Sequence, residues 1–340
     1  HTKLKSEKQI TSAFEQVKDY MEALLNKEGL KYDAILTDGI KVAYFQFVGE
    51  RVRHTTLRNL SVDDIDRIIK AILNNQTKKF EPVNIVKDFS ISPMSFSVSK
   101  TIATILFAQL NEHMTEKSNM LYSEWKGLMH LSVEDNGKGS DIAKRRLDLS
   151  EIFACDISDT EKEYKALFAL QTTYAIIVKL IACKVVDRLN FNEDAHDYHD
   201  LSILPSDKMQ RFFQEIEDGY SYTSEGIRNF LEGDFFSWYA DENQWSEEFW
   251  LNIKQIIIVL DEYSTFSFNV KYNPVDVFKD LYMSIIPQSV RHSMGEYFTP
   301  EWLADRVISE ALNGIQKQEW KAMDPCCGSG IFIFSLIKKG

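Results

Sequence analysis

The sequence has little of what staples, kinks or breaks a chain. Only 4 Cys, 7 Pro and 14 Gly occur in 340 residues. The cysteines, Cys155, Cys183, Cys326 and Cys327, form no CxxC pair and are too sparse for a disulfide-stapled domain, so reduced thiols are expected. No run approaches the roughly 20 uninterrupted apolar residues of a membrane span. The charged start His1-Thr2-Lys3-Leu4-Lys5 is not followed by a signal-type apolar stretch, so a cytoplasmic protein with no membrane partner is expected. Positive charge is also scarce: 39 Lys and Arg against 51 Asp and Glu leave a net charge of -12, the opposite of a phosphate-wrapping surface. Two basic clusters, Arg51-Val52-Arg53 and Lys144-Arg145-Arg146, are the local exceptions that could touch a phosphate backbone, although a basic run this short is usually a solvated face.

What is present is apolar and aromatic: 44% hydrophobic and 12% aromatic residues suffice for one or more cores, with periodicity that is helical more often than extended. Ser12 and Glu15 have capping-box spacing ahead of a stripe of Phe14, Val17, Met21 and Leu24, which Gly29 ends. Alternating residues at Ala34-Ile35-Leu36 and Val42 to Phe47 flank Thr37-Asp38-Gly39 and predict a hairpin, extended by a Gly49-Glu50 turn. Residues 62–75 return to helical period. Pro82 to Pro93 reads as a linker with a short extended piece. From Ser95 to Ile286 the pattern is almost wholly helical, broken at Glu134 to Asp141 by a polar, Gly-bearing loop expected to be mobile. His196-Asp197-Tyr198-His199-Asp200 has two imidazoles at i and i+3 but reads as a polar helix end, and no metal ligands are assigned.

The last fifty residues change character. Thr299-Pro300 predicts a helix with a hydroxyl N-cap and Pro in its first position, an apolar face of Leu303, Val307 and Ala311, and Gly314 at its end. Trp320 to Met323 then predicts a short strand running into Asp324-Pro325-Cys326-Cys327-Gly328-Ser329-Gly330, with a buried helix from Ile331 to Lys338. Strand, Gly-rich turn and helix in this order build ligand loops at the carboxyl end of α/β sheets. Pro325 biases Asp324 toward extended geometry, and Gly328 and Gly330 open the backbone to close approach. A Walker loop would need Lys-Ser/Thr after the last Gly, and a dinucleotide fingerprint a third Gly near Ile333; neither is present. An ordinary ligand-free turn is the alternative.

Upstream lies Gly295-Glu296-Tyr297-Phe298-Thr299-Pro300. Together the two segments resemble motif X (GxYxTP) and motif I (DPxCGSG) of the N6-adenine-specific DNA methyltransferases. The resemblance implies a Rossmann-like domain that takes S-adenosylmethionine as cofactor and double-stranded DNA as partner, methylating a flipped adenine. It implies cofactor-binding roles for Tyr297, Thr299, Pro300, Asp324, Cys326, Gly328 and Gly330. Asp324 and the glycine loop would line the methionine and ribose part, and Thr299 with Tyr297 would close over the methionine end. Leu281-Tyr282 to Gly295, Leu231 to Tyr239 and Leu167 to Ile181 are similar to parts of large type IIG restriction-modification enzymes. Gln16-Val17-Lys18-Asp19-Tyr20 with the following hairpin resembles the stretch after the catalytic core of a PD-(D/E)xK nuclease.

The expected fold is therefore mainly α, with a small N-terminal α/β region over 1–92, a helical connector over 93–290, and the start of a Rossmann-like α/β methyltransferase domain over 291–340. The Asn/Asp-Pro-Pro-Tyr/Phe motif that holds the target amine does not occur between His1 and Gly340. It is expected beyond Gly340, so no catalytic residue is assigned and the chain is expected not to methylate alone. Mg2+ is expected only if a nuclease domain lies upstream. The competing function is a non-catalytic connector or DNA-positioning module of a defence complex.

Overall fold

The computed structural model describes residues 4–28, 32–48, 51–62, 64–65, 68–69, 78–92, 97–132, 139–190, 198–223, 235–264, 277–314 and 321–339. Within them the chain is mainly helical with one small antiparallel sheet near its start.

Helix α1 (Glu7–Glu28) does open with a capping box, but a different one from Ser12 and Glu15, which lie inside the helix. The Gln9 N–H donates to Ser6 Oγ at 3.4 Å and the Ser6 N–H donates to Gln9 Oε1 at 3.2 Å. Its stripe of Phe14, Val17 and Met21 packs on Ala43, Phe45 and Phe47 of the sheet. Strands β1 (Ala34–Thr37) and β2 (Lys41–Val48) form the expected hairpin. Asp38 Oδ1 accepts the N–H groups of Ile40 and Lys41 at 3.0 and 2.8 Å, and Gly39 takes the φ of 85° that the turn requires. Along the other side of β2 run β3 (Arg51–His54) and β4 (Arg58–Asn59), interrupted where Tyr44 and Thr55 bond to one another. The Gly49-Glu50 turn itself lies outside the described residues, as do Gly29 and much of 62–75; Val62, Asp64, Ile65, Ile68 and Ile69 are helical.

Alternate residues of a strand face opposite sides, so Tyr44 points away from α1 toward the fully buried Asp64. That carboxylate accepts from Arg58 Nη1 and Nη2 at 2.6 Å each, from the Tyr44 hydroxyl at 2.7 Å, and from the Ser61 N–H and hydroxyl at 2.8 and 2.7 Å. Burial alone would raise its pKa, but Arg58, Ser61 and Tyr44 hold it far below the usual carboxylate range. Because the folded value is depressed, the stabilisation is present above the unfolded value of 3.8 and is lost as pH falls through the folded one. The protection of the β2 amides, taken relative to intrinsic exchange at each pH, should therefore fall on acidification below 3.8. Asp64→Asn should be less protected throughout and lose this pH dependence; an identical acid profile in both proteins would sink the assignment.

The larger core begins at Phe80. Strand β5 (Lys78–Lys79) pairs in parallel with β6 (Tyr263–Ser264). The linker expected from Pro82 to Pro93 is instead helix α2 (Pro82–Phe89), since Pro is tolerated in a first turn and Ile85 and Phe89, both fully buried, share one face. Then follow α3 (Val98–Glu112), α4 (Glu116–Ser132), α5 (Gly139–Phe153), α6 (Thr160–Asn190), α7 (Tyr198–Ser202), α8 (Ser206–Glu217), α9 (Tyr220–Thr223), a 3-10 turn at Phe235–Ala240 and α10 (Glu247–Asp261). After β6 come α11 (Val277–Ile285), α12 (Gln288–Ser293), α13 (Glu301–Leu312) and α14 (Ile331–Lys339). Among the described residues the middle is helical as expected, apart from β6, and α5 already begins at Gly139, within the loop expected over Glu134 to Asp141.

Helix α6 is the axis of this body. Its stretch Thr160–Val186 is long and apolar enough to cross a membrane, but 78% of the apolar window is buried within the fold, which makes it a core helix. Phe168 stacks on Trp238 at 5.9 Å, and Trp238 Nε1 donates to Thr172 Oγ1 at 3.0 Å. Core packing thus accounts for Leu167 to Ile181 and for Trp238 and Tyr239; Leu231 to Asp234 lie outside the described residues.

Candidate functional site

The residues resembling motif X begin where α12 ends. The Gly295 N–H donates to His292 O at 3.1 Å and the Glu296 N–H to Arg291 O at 2.9 Å, the paired bonds of a Schellman cap. Gly295 sits at φ 71°, the left-handed conformation this cap requires after a helix. The chain then runs extended. Glu296 takes hydrogen bonds from the Tyr282 hydroxyl on both carboxylate oxygens, at 3.1 and 2.9 Å. Burial pushes its carboxyl pKa up, against Tyr282 and Arg291, which lower it. Tyr297, 73% exposed, stacks on His292 with ring centres 5.0 Å apart, and Phe298 meets Tyr282 edge-on.

Thr299 is not the N-cap expected of it. The cap position of α13 falls on Pro300, which makes no side-chain cap bond, and Glu301 is the first helical residue. A Pro backbone at φ -62° and ψ 143° has the extended geometry of an N-cap, so the helix starts one residue later and Thr299 stays half-buried in the extended lead-in. Gly314, at φ 83°, follows the C-cap Asn313 as expected.

No strand forms at residues 321–323, while Trp320 lies outside the described residues. A parallel strand is held by ladder bonds to neighbours, and no described strand lies beside it. The loop that follows is nevertheless well defined. Asp324 Oδ1 accepts the Cys326 N–H at 3.1 Å, closing an Asx turn, and the Gly330 N–H donates to Cys327 O at 2.7 Å. Gly328 and Gly330 have φ of 53° and 85°, and Gly330 O accepts the Phe334 N–H at 2.9 Å, launching α14. Cys326 and Cys327 are free and exposed. Asp324 Oδ2 is shielded from solvent and has no hydrogen-bond partner, the only carboxylate oxygen in that state among the described residues. An unpaired buried carboxylate oxygen is costly and marks a place where a donor is missing.

Helices α13 and α14 are joined by Ser335 to Asp305, Lys338 to Glu301, and Lys339 to Ser309 at 2.7 Å. The two motifs thus sit on packed helices, although no hydrogen bond or ring contact links Tyr297, Thr299 or Pro300 to residues 324–330 among the described residues. Lys338 lies about 12 Å along the helix from Gly330, so Glu301 meets the end of α14 remote from the loop. Trp302, Val307 and Ile337 remain 70%, 46% and 66% exposed, leaving the apolar faces of this pair uncovered. Helix α14 is described as far as Lys339. Gly340, beyond which the target-base motif is expected, lies outside the described residues, so the structure adds no catalytic residue to the cofactor loop.

Of the other candidates, one basic cluster is structural, while the arginines of the other, like Gln16 and Tyr20, lie at the surface. Arg145 and Arg146 both bind Glu163, the latter at 2.8 Å, and Arg146 also donates to Ser158 O and Thr160 Oγ1, so this basic cluster fastens α5 to the start of α6. Arg51 and Arg53 are exposed. Gln16 and Tyr20 are exposed too, on the side of α1 away from its Phe14, Val17 and Met21 face. Among the described residues no group of three or more His, Cys, Asp and Glu side chains could hold a metal; His196 and Asp197 and most of the Glu134 to Asp141 loop lie outside them. The pairing of Tyr282 with Glu296 is not legible in the sequence, because the Tyr-to-Glu spacing carries no recognisable pattern of its own.

Residues 273–339 match the family model described as N-6 DNA methylase. The matched stretch contains both the Gly295 to Pro300 turn and the Asp324 to Gly330 loop, and with them α11 and the Tyr282 contact. No curated protein and no solved structure matches the chain.

Proposed function

We propose that this chain is part of a cytoplasmic, S-adenosylmethionine-dependent DNA methyltransferase acting on adenine N6, within a larger restriction-modification protein of the type IIG kind. The observation that carries the reading is the orphaned Asp324 Oδ2 in a loop opened by two left-handed glycines, inside the stretch matched by the N-6 DNA methylase model. These residues fit the cofactor: a shielded carboxylate oxygen lacks a donor, and the amine and ribose hydroxyls of S-adenosylmethionine are donors. Asp324, Gly328 and Gly330 would hold the methionine and ribose part, with the Cys326 N–H keeping Asp324 in place. Tyr297, Thr299 and Pro300 would cover the methionine end. When bound, S-adenosylmethionine supplies an electrophilic methyl group; the chain's own task is to fix it in one orientation and keep water away. Double-stranded DNA is the partner of the whole protein. A nuclease-like N-terminal region belongs to the same reading, supported by the helix carrying Gln16 and Tyr20 beside a small sheet, with Mg2+ called for only if a nuclease core lies upstream.

The test is methyl transfer by the full-length protein from labelled S-adenosylmethionine to unmethylated duplex DNA, with the product nucleosides separated by mass. N6-methyladenine is expected. Methylated cytosine, or no transfer by a protein that binds DNA tightly, would overturn the reading, the second result in favour of a DNA-positioning connector.

A further inference from the structure

The Schellman cap that ends α12 is built from backbone bonds alone, so it does not require a carboxylate at Glu296. An apolar side chain would pack on Tyr282 without the cost of desolvating a charge. Glu296 is nonetheless an acid, half-buried, and it spends both oxygens on one hydroxyl. That hydroxyl belongs to α11, and the Tyr282 ring lies edge-on to Tyr174 of the central helix α6 at 5.1 Å and 75°. On its other side Phe298 meets the same ring at 6.2 Å, with Lys279 Nζ 5.7 Å from the Phe298 ring centre. Residues on both sides of Tyr297 are therefore tied to one tyrosine, and through it to the core helix.

We propose that Glu296 is a positioning residue: its carboxylate, held by the Tyr282 hydroxyl, fixes the Tyr297 to Thr299 segment relative to the helical body and so sets the cover of the cofactor site. This rests on the cofactor reading above. Tyr282 keeps its ring contacts when the hydroxyl is removed, so Tyr282→Phe isolates the hydrogen bond. Glu296→Gln keeps an amide oxygen that still accepts it.

The experiment measures S-adenosylmethionine affinity by calorimetry and steady-state methylation in the full-length protein. Tyr282→Phe and Glu296→Ala should each weaken binding by about tenfold, raising KM for the cofactor with kcat within about twofold, while Glu296→Gln stays within about threefold of wild type. Wild-type affinity in both Tyr282→Phe and Glu296→Ala overturns the proposal. So does a loss of affinity that tracks a fall in melting temperature and that Glu296→Gln does not rescue, since that is a structural role only. Asp324→Ala separates the two levels. If it loses binding while Tyr282→Phe does not, the positioning role fails and the cofactor reading stands; if the wild type binds no S-adenosylmethionine, both fail.

Discussion

Replacing Asp324 with Ala is expected to weaken S-adenosylmethionine binding by between roughly tenfold and more than a hundredfold, because a charge-assisted hydrogen bond in a shielded site is worth about 1.5–3 kcal/mol. The two oxygens of this carboxylate have different tasks. Oδ1 closes the Asx turn with the Cys326 N–H, and Oδ2 is the orphan. Asp324→Asn retains an oxygen for the turn but forfeits the charge, so it should fall between wild type and Asp324→Ala. If the carboxylate served only to build the turn, Asn would bind as the wild type does. The loop is separate from the core that spans Phe80 to Val290, so thermal unfolding of that core should hardly move in either variant. Gly330→Val should also weaken binding, because Val cannot hold the φ of 85°; the nearest atom to an added Cβ is Phe334 Cε2 at 3.8 Å, so backbone conformation and not crowding is the cause. Calorimetry with unchanged affinity in Asp324→Ala would return the loop to an ordinary helix-launching turn.

How much of this is legible in the sequence depends on how local the controlling interactions are. The hairpin is readable because Asp38 bonds to amides two and three residues away and Gly39 sits beside it. The start of α1 is ambiguous because Ser6 with Gln9 and Ser12 with Glu15 both have the spacing of a capping box, and the apolar stripe begins only at Phe14. Earlier helical turns need no apolar face of their own once a cap holds them. Pro82 carries the local signal of a breaker, but its tertiary partners decide the matter: Ile85 and Phe89 reach the core, α2 packs on α11, and the Ile91 N–H bonds to Ser284 O at 3.0 Å. No local signal announces a contact almost two hundred residues away.

The site divides in the same way. The glycine-bearing turns at Gly295, Gly328 and Gly330 are visible as residue types, since left-handed backbone selects glycine. The electrostatic partners are not. Arg145 and Arg146 look like a phosphate contact until Glu163 is placed between them, and Glu296 looks like an unassigned position inside a motif until Tyr282 supplies its donor. Charge pairs between helices are set by packing, which periodicity reports only as a buried or an exposed face.

The largest effect on folding is expected at one such pair in the core. Lys179 of α6 is fully buried and its Nζ lies 2.5 Å from Glu217 Oε2 at the end of α8, while the Tyr239 hydroxyl donates to Glu217 Oε1 at 2.5 Å. Beside them the Tyr222 hydroxyl donates to Lys179 O at 3.0 Å, so charge and backbone of one turn of α6 are satisfied by two separate elements, α8 and α9, with Tyr239 holding the Glu217 carboxylate. Glu217→Ala leaves a buried ammonium without its carboxylate, which costs about 3–5 kcal/mol and should lower the melting temperature of the helical body by roughly 6 to 20 °C. Removing both charges is a different experiment. Lys179→Met with Glu217→Leu exchanges two desolvated ions for apolar side chains of similar volume, and should recover most of the loss, leaving a fold whose α8 and Phe235–Ala240 turn are less firmly registered on α6. Chemical denaturation followed by far-ultraviolet circular dichroism distinguishes these cases. A Glu217→Ala protein within about 1 kcal/mol of wild type, or a double variant as unstable as the single, would mean that the pair is not the desolvated contact described, because only an uncompensated buried charge makes the single change worse than the double.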